Sequence, residues 1–229
     1  MTEFRTFVIK LIVAFGAPWL LLILWPSISY QSLAPIAYNK DKGDELDGSY
    51  MFPMSSVNHT GATIYAQEGC AQCHSQMIRP AQMGLDAWRK GWGQDQSDRA
   101  AEPTRATTLR DYAGEKYAFL GVSRIGPDLA NAGYRFENST QVHLHLYGPK
   151  AVNEWSTMPS YKHLYVVRKQ QGPESSKALP LIGTPYAPKE GFEVVPTPEA
   201  EQLAAYILSL KRDYPIPGSK ALAATPAKK

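Results

Sequence analysis

Apolar positions along the chain fall into one long block, a few short periodic runs, and long stretches where they are sparse. The block comes first. No charged residue stands between Leu11 and Asn39, and Leu11 to Trp25 is apolar almost throughout. The stretch from Leu11 to Tyr30 spans ~30 Å as a helix, the thickness of a bilayer's hydrocarbon core. Pro18 kinks such a helix without excluding it, because neighbouring groups take up the freed backbone acceptor. Trp25 and Tyr30 are placed for the outer interfacial belt, where amphipathic rings favour the headgroup level.

Two processing outcomes fit a block at this position. Arg5 and Lys10 make a basic start, and Ser32-Leu33-Ala34 resembles the small-x-small site of a cleavable signal peptide. Against cleavage, the apolar run is longer than a signal core, and Pro35 would follow the cut directly. A retained anchor is the reading adopted here, and under either outcome the rest of the chain is exported. Arg5 and Lys10 before the span, set against the mixed charges of Lys40 to Glu45 after it, place the N-terminus in the cytoplasm.

Downstream the pattern weakens. Residues 31–57 are polar, carry Pro35, Gly43, Gly48 and Pro53, and show no helical period, which reads as a tether. Thr60 to Glu68 is predicted as a short helix with Ile64 and Tyr65 apolar, and Gly69 after it permits a close backbone approach. Residues 81–117 read as loop with short helices, with Trp88, Trp92 and Tyr112 as aromatic candidates for shielding a bound group. Residues 168–196, rich in Pro, Gly, Lys and Ser, read as a surface excursion.

The last helix has the clearest signals. Thr197 is its cap, Pro198 its first residue, and Glu199 and Glu201 fall in its first turn. Leu203, Tyr206, Ile207 and Leu210 form one apolar face, and Lys211 and Arg212 close the negative end before Pro215. The domain plan is an anchor over 1–30, a tether over 31–57, a folded domain over 58–214 and a disordered tail over 215–229.

Composition changes this picture little. The 229 residues allow one domain plus extras, and a net charge of +3 without a clustered basic run gives no footprint for nucleic acid. With 18 prolines and 17 glycines the fold is expected to be rich in loops, as suits a small domain whose bound group supplies part of the core.

The chemistry concentrates in Cys70-Ala71-Gln72-Cys73-His74. Cys70 and Cys73 are the only two cysteines in the chain, and the C-x-x-C-H arrangement is the attachment signature of c-type haem. Two thiols three apart reach two vinyl groups on one porphyrin edge, and the imidazole directly after them falls beneath the iron. A thioredoxin-like pair has no need of His74. A disulfide closing so short a loop stabilises little. A zinc site wants two further ligands, and no second Cys pair exists. One covalently bound haem c is the expectation.

Two later segments supply candidate partners. In Ser123-Arg124-Ile125-Gly126-Pro127-Asp128-Leu129 the Gly-Pro turn offers the carbonyl of Gly126 or of Pro127 to the free N–H of His74. Helix initiation, with Asp128 in the first turn, is compatible with that role. Arg124, two residues before the turn, is a candidate partner for a haem propionate. In Trp155-Ser156-Thr157-Met158-Pro159-Ser160-Tyr161 a thioether on a loop stiffened by proline suits a sixth iron ligand, and Met158 has enough chain before it to wrap the ring. The rivals are His59, His143, His145 and His163, of which His143 and His145 read as an exposed polar pair.

Ile64-Tyr65, Glu68-Gly69-Cys70 and the run Cys73-His74-Ser75-Gln76-Met77-Ile78-Arg79-Pro80 closely resemble the mono-haem subunit II of cbb-type cytochrome c oxidases. Arg124-x-Gly126-Pro127-Asp128-Leu129 and Met158-Pro159-x-Tyr161 are similar to that family in the same order. The resemblance implies a mainly α, class I cytochrome c domain on a single N-terminal transmembrane helix. Cys70 and Cys73 would bind haem, with His74 and Met158 as axial ligands. The resemblance also implies assembly in the bacterial inner membrane with a haem–copper catalytic subunit and, usually, a di-haem cytochrome c subunit. The haem domain would be periplasmic, with no oxygen-reducing site of its own. Residues 81–117 and 168–196 depart from the family pattern. A free-standing membrane-anchored cytochrome c carrier is the alternative, and a nitric oxide reductase subunit a more remote one.

Overall fold

The computed structural model describes residues 2–31, 36–38, 48–50, 54–86, 89, 91–93, 104–112 and 115–213. Ser32-Leu33-Ala34 and Pro35, the charges of Lys40 to Glu45, Met51, Trp88 and the tail over 215–229 lie outside the described residues. The chain divides into two units, one of Met1–Phe52 with Thr108–Tyr117, the other of Pro53–Thr107 with Ala118–Lys229.

In the first unit, α1 (Thr2–Trp19) runs through a π turn (Leu20–Leu24) into α2 (Trp25–Gln31). Glu3–Gln31 is one helix long and apolar enough to cross a membrane, and none of its most apolar stretch is buried. The wide turn lies between Pro18 and Pro26. Each proline withholds an N–H from the ladder, and the Trp25 N–H reaches back to the Leu20 carbonyl instead. Ser27 Oγ donates to the Ile23 carbonyl at 2.6 Å, satisfying an acceptor that no solvent in a bilayer would reach. The 31–57 stretch has more order than its composition predicts: β1 (Ile36–Tyr38) pairs antiparallel with β2 (Gly48–Tyr50), Ala37 opposite Ser49. A 3₁₀ turn at Leu109–Tyr112, which carries Tyr112, also belongs to this unit. Asp111 holds its start by accepting from the Thr108 N–H at 2.7 Å.

The second unit is built on two helices from opposite ends of its sequence. The first, α3 (Ser56–Gln67), begins four residues before the predicted Thr60. Ser55 is the cap, its hydroxyl accepting from the Asn58 N–H. The last, α6 (Pro198–Ser209), starts as its sequence predicts: Thr197 accepts from the Ala200 N–H and Pro198 opens the helix. Gly61, Ile64 and Tyr65 of α3 are buried, as are Ala200, Leu203, Ala204, Tyr206 and Ile207 of α6. Rings of Tyr65, Phe119 and Tyr206 meet at centroid separations of 5.0, 5.5 and 6.4 Å, tilted or edge-on.

Between them lie α4 (Ser139–Tyr147), α5 (Pro149–Val152) and an antiparallel pair, β3 (Tyr165–Lys169) with β4 (Phe192–Pro196), Val167 opposite Val194. This pair corrects the reading of 168–196 as a surface excursion. Leu179, Leu181 and Val194 are buried in the same core as Tyr65 and Tyr206, so the segment supplies core. Arg168 and Glu193 pair at 2.7 Å across the two strands, and Glu193 also accepts from the Ser175 N–H. His143 is likewise no exposed residue. It is buried on α4, its Nδ1 3.0 Å from the Tyr165 hydroxyl, while His145 turns its Nδ1 to the Gln141 carbonyl.

Candidate haem site

The site begins where α3 stops. Gly69 takes a left-handed conformation, φ 71°, which a side chain would resist, and turns the chain into a 3₁₀ turn at Cys70–Gln72. The N–H groups of Cys73 and His74 both reach the Cys70 carbonyl, at 3.2 and 3.0 Å, so both cysteines and His74 share one compact turn. The two thiols are free, Cys70 buried and Cys73 half-buried. Burial pushes the Cys70 thiol up to about 12, with the Glu68 carboxylate adding to the effect. A redox pair works as the thiolate, which this setting disfavours.

His74 is held from two sides. Its Nδ1 lies 2.8 Å from the Pro127 carbonyl. A carbonyl only accepts, so Nδ1 carries the proton and the lone pair is on Nε2, which has no hydrogen-bond partner among the described residues. The ring packs against Gly126, where a β-carbon would overlap Cε1 and sit 2.7 Å from Nδ1. Burial lowers the affinity of the ring for a second proton, outweighing the opposing pull of the Pro127 carbonyl. The result is a neutral, oriented imidazole with Nε2 available, the form in which histidine ligates a metal. Two free thiols on the same turn and an imidazole so presented fit the donor set of haem c.

A ladder of long-range bonds locks this turn to residues 118–130. Val122 N–H donates to Ala71, Gly126 N–H to Cys73, Gln76 N–H to Phe119, and Leu129 N–H to Ser75, at 2.7–3.0 Å. The Ser75-to-Pro80 run takes a specific part at nearly every residue. Ser75 Oγ and the Met77 N–H both donate to Asp128, each at 2.7 Å. Gln76, wholly buried, meets the Tyr206 hydroxyl at 3.1 Å and Arg212 at 3.1 Å, joining the site to α6. Ile78 packs with Trp92 and Ala130. Arg79 grips Asp86 with two nitrogens, at 2.9 and 3.0 Å. Of the three aromatic candidates, Trp92 is thus a packing residue behind the ladder.

Arg124 has partners other than the propionate expected for it. Its Nε donates to Ser75 Oγ, Nη1 to Asp86 and Nη2 to the Met77 carbonyl, at 2.7, 2.7 and 2.8 Å, and its guanidinium sits 5.4 Å from the Trp92 ring centroid. Every nitrogen is used inside the protein. Asp86, the acceptor shared by Arg79 and Arg124, was not identified from sequence. It lies 38 residues from Arg124, and only its lone position in an otherwise small and apolar stretch marks it. Asp128 starts no helix. Its carboxylate turns back to the Ala130 N–H at 2.8 Å and to the Ser75 segment.

Met158 sits on the loop between α5 and β3. It is half-buried against the core that includes Cys70, Tyr65 and Phe119, and Tyr161 from the same loop packs there too. The Tyr161 N–H bonded to the Leu146 carbonyl at 2.8 Å secures the loop's far end, and the Tyr161 hydroxyl approaches Cys70. The structure thus brings Cys70 and Met158 into one cluster. Three rival histidines are engaged elsewhere: His143 with Tyr165, His145 with Gln141 and His163 with Glu68 at 2.9 Å.

No individual curated protein matches the sequence. The family model described as cytochrome c oxidase, mono-haem subunit (FixO), matches residues 20–213, which takes in part of the anchor, the cysteine turn, the Gly-Pro turn, the Met158 loop and α6. The chain is a mainly helical cytochrome c domain with one N-terminal helix long and apolar enough to cross a membrane. The chain therefore belongs to the mono-haem (FixO) subunit family of cytochrome c oxidases.

Proposed function

We propose that this chain carries one covalently attached haem c and passes electrons to the haem–copper catalytic subunit of a cbb-type oxidase. Cys70 and Cys73 are assigned the thioether bonds, His74 and Met158 the axial positions, and the Pro127 carbonyl the orientation of His74. Haem c supplies a one-electron iron couple when bound. A soft, neutral thioether opposite an imidazole raises the potential of that couple, which suits donation to an oxidase. The observation that carries the reading is the His74 geometry: directly after two free thiols, the ring is clamped between Gly126 and Pro127 with Nε2 unpartnered.

The anchor over 1–30 is proposed to remain uncut, with its N-terminus cytoplasmic and the haem domain, 58–214, in the periplasm. In this plan 31–57 is the tether and 215–229 the tail. A di-haem cytochrome c subunit is the further partner assigned. Covalent attachment is tested on a denaturing gel stained for haem. The wild-type chain should keep its colour and the Cys70→Ala/Cys73→Ala chain should lose it. A wild-type chain whose pigment is extracted by acidic acetone would sink the assignment. N-terminal sequencing of the mature chain tests the anchor, and a start at Pro35 would show cleavage.

A further inference from the structure

We propose that Asp128 is a positioning residue for His74, acting through the peptide bond that it shares with Pro127. The inference rests on the haem assignment made above and adds to it the group that holds the His74–carbonyl bond in place. The carbonyl that accepts from His74 Nδ1 belongs to the peptide unit whose N–H is that of Asp128. On the other side of that unit the pyrrolidine ring locks φ of Pro127, so the plane of the carbonyl is decided by ψ of Pro127 and by where Asp128 is held. Asp128 is held on every side.

Its side chain is wholly buried, and each oxygen is occupied. Oδ2 accepts from Ser75 Oγ and the Met77 N–H, both at 2.7 Å, with Arg124 Nη2 further off at 3.5 Å. Oδ1 accepts from the Ala130 N–H at 2.8 Å. The backbone carbonyl of Asp128 accepts from Arg135 at 2.6 Å. The carboxylate therefore ties together the segment that leaves His74 and the segment that carries Pro127, one residue away from the bond in question. A buried, multiply bonded carboxylate whose removal leaves donors unpaired is costly to keep and costlier to lose. Here that rigidity is spent on one carbonyl.

A well-aligned N–H to carbonyl bond makes imidazole a stronger donor to the oxidised metal, so loosening it raises the reduction potential. Asp128→Asn keeps the shape but replaces one acceptor by an N–H₂ group facing the Met77 N–H. In the full-length protein in detergent, this variant should keep its covalent haem, show a raised midpoint potential, and exchange the His74 Nδ1 proton roughly five- to tenfold faster, the effect of about one hydrogen bond. Removing a negative charge would raise the potential by itself, so Ser75→Ala is the second variant. It leaves the carboxylate charged while deleting one bond of the clamp, and it should speed exchange and shift the potential in the same direction by less. Wild-type exchange in both variants overturns the proposal, even if Asp128→Asn shifts the potential. If Asp128→Asn fails to fold, the exchange rate in Ser75→Ala decides alone. A wild-type chain without covalent haem overturns the functional reading and this inference with it.

Discussion

Gly61 of α3 faces Tyr206 of α6 with no room for a methyl group between them. A β-carbon on Gly61 would lie 2.6 Å from the Tyr206 Cβ and would overlap the Gln202 carbonyl, which is backbone and cannot rotate away. Gly61→Ala gains up to ~1 kcal/mol of helix propensity. Separating two packed helices costs more, ~1–3 kcal/mol or above. The net expectation is destabilisation, read as a lower unfolding midpoint, with Gly61→Val worse than Gly61→Ala. An unchanged midpoint would mean that the helices sit further apart.

Asp86 is expected to make the domain sensitive to strong acid. Burial opposes its ionisation, but hydrogen bonds from Arg79 and Arg124 overcome this and hold its carboxyl at about 2. A depressed carboxyl contributes stability that is complete above the unfolded value near 4 and is lost as pH falls toward 2. The contribution is ~2–3 kcal/mol. Unfolding midpoints measured from pH 5 down to pH 2 should fall in that window. Asp86→Asn should start lower and flatten the fall.

His143 should act at milder pH. Burial lowers its affinity for a proton, the Glu201 carboxylate opposing this and Lys177 adding to it. An unfolded chain then binds the proton more readily than the folded one. Stability is therefore full above the ordinary histidine value near 6.5 and declines below it, by at most ~1.4 kcal/mol per pH unit. His143→Gln should remove that slope between pH 7 and pH 5. If the slope survives, other groups carry it.

Met158→Ala should abolish the weak near-infrared band that marks sulfur bound to oxidised haem iron, and should lower the midpoint potential. Persistence of the band in the variant would point to another methionine. Its absence from the wild type would point to a histidine, of which His59 alone among the rivals is not bonded through its ring in the structure.

Local signals carried furthest where the chain closes its own bonds. The cap, first-turn proline and apolar face of α6 lie within a dozen residues, and the structure has the helix where they put it. The five residues from Cys70 to His74 are just as local, and the structure folds them into one compact turn. His143 was misread because an i, i+2 pair suggests one exposed edge. On a helix those two residues point about 200° apart, and one of them goes inward. Arg124 shows a different kind of limit: its role inside the protein was hidden. Its carboxylate partner is remote in sequence, and a charge beside a site says nothing of what competes for it. The 168–196 stretch hid its role in composition: the loops are polar, but Leu179, Leu181 and Val194 are enough to pull it inward.

The pairing of α3 with α6 has a consequence in time. A chain made from its N-terminus presents Ile64 and Tyr65, then the cysteine turn, then the residues that latch it about fifty positions later. The surface that covers Ile64 and Tyr65 is Leu203 and Tyr206, which arrive almost last. Until they do, α3 has only part of its packing, Phe119 against Tyr65 included, and a helix of its twelve residues is marginal in water. The two cysteines thus enter the chain well before the helix that completes the core to which Cys70 belongs.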